Sequence, residues 1–161
     1  MISFASTEEL RCRISDEDIV ECYLRPKVMG EATAMPRFIV EVGEELYTRE
    51  PWLLPQQTDP ILNPREWFYL GPKWVRPFQG VYFDGSWDAI EGFFVILSKE
   101  TGEKIGVTRR YRLYCRNKND DKGLMLPSEW FMREYLLYHP KFHSHALCKV
   151  TYNRPRPRRS M

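Results

Sequence analysis

From residue 105 onward this sequence reads as one strand-type run after another, which leaves it few ways to fold. Ile105 to Cys115, Glu129 to Tyr138 and Ala146 to Tyr152 are rich in aromatic and β-branched residues, and the stretches between them collect Asn, Asp, Gly, Pro and Ser. Such runs satisfy their backbone groups by pairing with one another. Gly92 to Leu97 is a further strand, turned by Lys99 to Lys104 into the hairpin partner of Ile105 to Cys115. Arg65 to Leu70 and the shorter Arg37 to Val42 add two more. A chain of 161 residues has room for one such domain, with or without a tail.

One helix stands out against these strands. Ser15 caps free backbone N–H groups, Asp16, Glu17 and Asp18 suit the positive end, and Ile19, Val20, Tyr23 and Leu24 supply an apolar stripe. Pro26 and Gly30 are expected to limit its length. Gly43 to Thr48 predicts a helical turn, and Glu50 to Pro55 an ordered apolar elbow in which Trp52 is buried. Gln56 to Pro64, Arg116 to Gly123 and His139 to His145 read as loops, and Gly71 to Gly85 as a long, partly irregular connection. The expected fold class is α+β, a twisted sheet packed against few helices. The longest apolar run, Phe93 to Leu97, is far too short to cross a membrane.

Charge is divided unevenly along the chain. Residues 1–103 hold 10 Lys and Arg against 18 Asp and Glu, whereas residues 104–161 hold 14 against 4. The second part is therefore suited to a polyanion such as nucleic acid, or it is a solvated surface offset by the first part. The two-residue period of the 107–116 strand puts Arg110 and Arg112 on one face and Arg109 on the other, where it interrupts Val107, Tyr111 and Leu113. Arginine pairs its donors with phosphate and is the commonest reader of guanine edges. A solvated outer face accounts for the same residues. Asn153 to Arg159 alternates Pro with Arg and reads as an extended basic tail.

Catalytic and metal motifs are missing from the sequence. His139, His143, His145 and Cys148 fit no strong zinc spacing, and there is no phosphate-cradling glycine loop, nucleophile elbow or HExxH helix. Neither an enzyme nor a cofactor is expected. Cys12, Cys22, Cys115 and Cys148 form no CxxC pair, and Met1 to Leu10 does not read as a signal peptide, so reduced, buried thiols are expected.

The order of segments resembles a plant NAC domain, the DNA-binding domain of a large transcription-factor family. Arg11 through Leu24, Glu50-Pro51-Trp52 with Leu54-Pro55, Arg65 to Tyr69, Gly106 to Arg109, Glu129 to Tyr135 and Leu147 to Val150 match its landmarks in order. The resemblance covers residues 9–153, leaving a flexible N-terminus at 1–8 and a basic tail at 154–161. It implies a twisted antiparallel sheet and a dimer in which Arg11 of one copy pairs with Asp18 of the other. It also implies a DNA-contact strand, for which Gly85 to Phe94 stands here. In that strand Asp88 replaces a lysine, Glu91 a glycine and Phe94 a lysine.

Two functions are carried forward. The first is a nuclear, dimeric DNA-binding regulator of transcription with a degraded contact strand. Arg109, Arg110 and Arg112 are its main phosphate contacts and Lys73 and Arg76 lesser ones, beside a strand and loop around Trp87. Lys149 and Arg154 to Arg159 join only where the C-terminus folds toward DNA. The second is a module that forms homodimers or heterodimers with other NAC proteins, titrating them while binding DNA weakly or not at all.

Overall fold

The computed structural model describes residues 14–31, 34–73, 84–90, 92–117, 119–139 and 144–154. The strands are β1 (Ile39–Glu41), β2 (Glu66–Pro72), β3 (Gly85–Ala89), β4 (Phe94–Leu97), β5 (Lys104–Arg116), β6 (Met125–Leu137) and β7 (His145–Tyr152). They form one 7-stranded sheet in the order β1-β2-β7-β6-β5-β3, with β4 also paired to β5. Around this sheet lie a few short helical segments, so the α+β class holds. The sheet is mixed rather than wholly antiparallel. β1 runs parallel to β2 because the chain between them is long enough for a crossover, whereas the other pairs are antiparallel.

The N-terminal helical run consists of α1 (Asp16–Asp18), a π segment (Ile19–Leu24) and α2 (Arg25–Val28). Ser15 caps it reciprocally with Asp18: the Asp18 N–H donates to Ser15 Oγ at 3.1 Å, and the Ser15 N–H to Asp18 Oδ2 at 3.2 Å. Pro26 does not stop the helix as expected. The widened segment before it, where the Arg25 N–H reaches the Val20 carbonyl, makes room for a ring that would crowd an ordinary α-helix. Gly30, at φ 72°, ends the run.

Two apolar layers hold the sheet. On one face Ile19, Val20 and Leu24 pack with Phe68, Tyr135, Leu137 and Leu147. The approach is close: a Cβ on Gly106 would lie 2.8 Å from Val20 Cγ2 and 3.1 Å from the Leu136 carbonyl, so this position requires glycine. On the other face α3 (Glu45–Thr48) brings Leu46 and Tyr47 onto Tyr69, Trp87, Tyr111, Met132 and Val150. The elbow over Pro51–Leu53 is ordered, but its anchors are Pro51 and Leu54. Trp52 is exposed rather than buried and leans on Trp130, 6.1 Å between ring centres.

β6 begins before the expected Glu129 and contains Pro127. The β5–β6 register slips between Arg112 and Tyr114, and Ser128 closes the irregularity by donating to the Leu113 carbonyl at 2.7 Å. Among the described cysteines, only Cys148 is fully buried; Cys115 is half-buried and Cys22 exposed. Cys22 faces outward because its helix turns Ile19, Val20 and Leu24 toward the sheet.

Candidate nucleic-acid interface

The strand register arranges the late cations in two adjacent rows on opposite faces of the sheet. In one row Arg109 on β5 stands opposite Glu134 on β6, which stands opposite Cys148 on β7. In the next row Arg110 faces Arg133, and Arg133 faces Lys149. Neighbouring strands lie ~4.8 Å apart, so Arg110 to Lys149 covers roughly 10 Å of cationic surface. Arg133 and Lys149 join Arg110 only through register, whether or not the tail folds back.

The Arg110 row lies beyond the N-terminal helix and lines a groove of about 450 Å³ with Phe131, Thr151 and Asn153. The Arg110 guanidinium sits 5.6 Å over the Phe94 ring. Arg133 has a distant carboxylate at Asp16, 3.8 Å away, and Asp16 also accepts the Tyr135 hydroxyl at 2.7 Å. Glu66 stands at the groove wall. Like charges directly opposite on neighbouring strands destabilise a sheet, so this row gains from a bound anion.

The Arg109 row is built differently. Glu134 is 4% exposed and accepts hydrogen bonds from Tyr47 at 3.1 Å and Tyr111 at 3.4 Å. Burial pushes its carboxyl above the ordinary value, while the tyrosine hydroxyls, Arg109 and Lys73 draw it back. Burial likewise raises the neighbouring Tyr47 hydroxyl and the Cys148 thiol. The exposed Arg109 and half-buried Lys73 line a cleft of about 330 Å³ with Phe93, Val107, Leu136 and Tyr138.

The six predicted DNA contacts are therefore not one patch. Lys73 and Arg109 come together on one face, and Arg110 gains different partners on the other. Arg112 shares the Arg110 face but is held by its own surroundings. Its Nε donates to the Ser128 carbonyl at 2.8 Å, its guanidinium meets Glu129 at 3.3 Å, and it stacks 5.0 Å over Phe131. Asp88, exposed on β3, stands directly opposite it. Trp87 is 3% exposed within the core and cannot touch a ligand in this fold. Arg76 and Glu91 lie outside the described residues.

The predicted dimer pair is also divided, since Arg11 lies outside the described residues and Asp18 is engaged in the helix cap. Among the described residues, no three His, Cys, Asp or Glu side chains gather to hold a metal. His145 pairs with Ser144 at 2.9 Å, and His143 lies outside the description. No described helix is long and apolar enough to cross a membrane.

Both rows open onto the same sheet edge. β3 pairs with β5 as far as Ala89 opposite Tyr111, and β4 resumes at Phe94 opposite Thr108. The gap falls beside Arg109 and Arg110, so their side chains flank the edge from its two faces.

Comparison with known proteins agrees with this architecture. The family model for no apical meristem (NAM) protein matches residues 7–137. NAC domain-containing protein 35 of Arabidopsis thaliana is 30% identical over 153 residues, covering 88% of this chain and 34% of that protein. NAC domain-containing protein 67 of Oryza sativa subsp. japonica is 29% identical over 129 residues, covering 76% of this chain and 42% of that protein. The chain thus spans between a third and a half of the length of these relatives. With the family model matched through β6 and relatives covering most of its length, the chain belongs to the NAC family of transcription regulators.

Proposed function

We propose that this chain is a nuclear, dimeric regulator of transcription that binds double-stranded DNA through the edge of β3, β4 and β5, without catalytic chemistry. The observation that carries the reading is the row Arg110–Arg133–Lys149, three like charges facing one another beside the sheet edge where β3 gives way to β4. Opposite faces are no obstacle to a shared ligand. The major groove is ~12 Å wide and admits a β-ribbon edge-on, which places each face of the ribbon next to one phosphate backbone. Arg110, Arg133 and Lys149 then serve one backbone, and Arg109 and Lys73 the other. Arg76 and the tail arginines add to this surface where they reach it. Phosphate contacts set position and affinity, leaving sequence choice to the edge itself.

The dimer is formed with a second copy or another NAC protein. An exposed Arg11–Asp18 pair contributes only ~0–1 kcal/mol, so apolar and backbone contacts must carry the association. Binding to a panel of duplexes between 50 and 200 mM salt tests the proposal. The expected result is a log–log salt slope of about −3 to −5, for four or five neutralised phosphates. Absence of salt-dependent binding to every duplex, with dimerisation retained, would favour the titrating module. One observation already supports that alternative: Asp88 is exposed on the edge strand where an approaching phosphate would be repelled.

A further inference from the structure

The sheet edge is unusually apolar at the gap between β3 and β4. Phe93 is 59% exposed, Phe94 50% and Ile90 42%, although the chain has cores on both sheet faces to receive such side chains. Exposed apolar groups gathered at one place mark a contact surface. Their positions are specific. Ile90 donates its backbone N–H to the Arg110 carbonyl at 3.0 Å and lines the groove of Arg110, Arg133 and Lys149. Phe93 lines the opposite cleft with Lys73 and Arg109. Phe94 is the platform under the Arg110 guanidinium.

We infer that Ile90 and Phe93 read thymine methyl groups in the major groove. The inference rests on the proposed DNA binding and assigns it a base preference. Charge selects the occupant: Arg109 and Lys73 on one side and Arg110, Arg133 and Lys149 on the other outnumber the exposed Asp88 of this edge, so a second copy meeting the tip would bring more repulsion than pairing. A duplex brings phosphates to both sides. Within the groove an aliphatic or phenyl side chain has no hydrogen bond to offer a base edge. The one apolar group displayed there is the C5-methyl of thymine.

The experiment uses the full chain and its tightest duplex from a random pool, with thymines replaced one at a time by deoxyuridine. This change deletes the methyl and leaves base pairing and minor-groove edge intact. We expect about 4-fold weaker binding for each contacted methyl. The double variant Ile90→Ser/Phe93→Ser should bind thymine and uracil duplexes alike, and Arg109→Ala should weaken both equally. Both altered side chains are exposed, so the fold is not at stake. Equal affinity of the unaltered chain for the two duplexes would overturn the inference while leaving DNA binding in place. So would a selected site without thymine, or a double variant that loses self-association in sedimentation but keeps its DNA affinity. If no duplex shows salt-dependent binding, DNA recognition itself fails.

Discussion

Two neighbouring cross-strand rows, one residue apart on β5, follow opposite rules. In the Arg109 row a cation opposes Glu134, whose buried carboxyl is held by Tyr47 and Tyr111. In the Arg110 row a cation opposes a cation, and that one opposes a third. The first arrangement pairs opposite charges across the strands, whereas the second sets like charges against one another and gains from an added anion. A count of arginines would rank Arg109, Arg110 and Arg112 alike. The cross-strand partners separate them, leaving Arg110 with the strongest case for phosphate and Arg112 with the weakest.

The largest test of this contrast is Lys149→Glu, which converts the end of the cationic row into an opposite-charge pair with Arg133. DNA affinity should fall by about 10-fold, and the salt slope should lose about 1–2 units, because one phosphate contact is lost and a repulsion added. Stability should stay level or rise by about 0.2–1 kcal/mol, as expected for relieving like charges across strands. Opposite movement of the two quantities is the signature of a row kept for a ligand. A drop in the thermal midpoint with unchanged DNA affinity would make the row structural. Lys149→Gln, measured alongside, separates loss of the contact from added repulsion.

How much of this was legible before folding depended on the range of each signal. Local chemistry was read directly: the Ser15 cap, the apolar set of Ile19, Val20 and Leu24, and the β5 strand all sit within a few residues of what dictates them. The opposite facing of Arg109 and Arg110 followed from the two-residue period. Register did not, because it joins segments tens of residues apart. Arg133 therefore went unranked, and Lys149 was tied to the fold of the tail rather than to its neighbours on β6, although both are plain in the sequence. Trp52 was misjudged for a related reason. Its burial depends on what the elbow packs against, and Pro51 and Leu54 take the interior places. Pro26 misled because a π segment, which has no simple sequence signal, absorbs its ring.

A second test acts on the neutral row. Glu134 has a folded pKa raised above its ordinary value of 4.5, chiefly by burial. The folded state thus holds the proton more tightly than the unfolded state. Stability is lost as pH rises from about 4.5 through the folded value, and the full penalty applies above it. Glu134→Gln keeps an acceptor for the tyrosine hydroxyls and removes that penalty. Its thermal midpoint at pH 7 should exceed the unaltered protein's by a few degrees, roughly 2–4 °C per kcal/mol, and the difference should close below about pH 4.5. The same change leaves Arg109 facing a neutral side chain and should tighten DNA binding about 2–3-fold. A parallel pair of pH–stability curves would show instead that Glu134 titrates normally.

The smallest effect is expected at Arg112, and it decides whether cross-strand partners or mere surface position govern the arginines. Arg112 shares a face with Arg110, so position alone predicts equal losses from Arg110→Ala and Arg112→Ala. Its donors, however, are directed to the Ser128 carbonyl and Glu129, and Asp88 stands across from it. Arg112→Ala should change DNA affinity by less than about 2-fold and lower stability by about 1 kcal/mol, the worth of one hydrogen bond at the strand irregularity. Asp88→Asn should tighten binding more than Arg112→Ala weakens it, since it removes an exposed negative charge from the edge. If Arg112→Ala instead costs as much affinity as Arg110→Ala, the guanidinium must leave Glu129 for phosphate. The contrast between rows would then describe only the unbound protein.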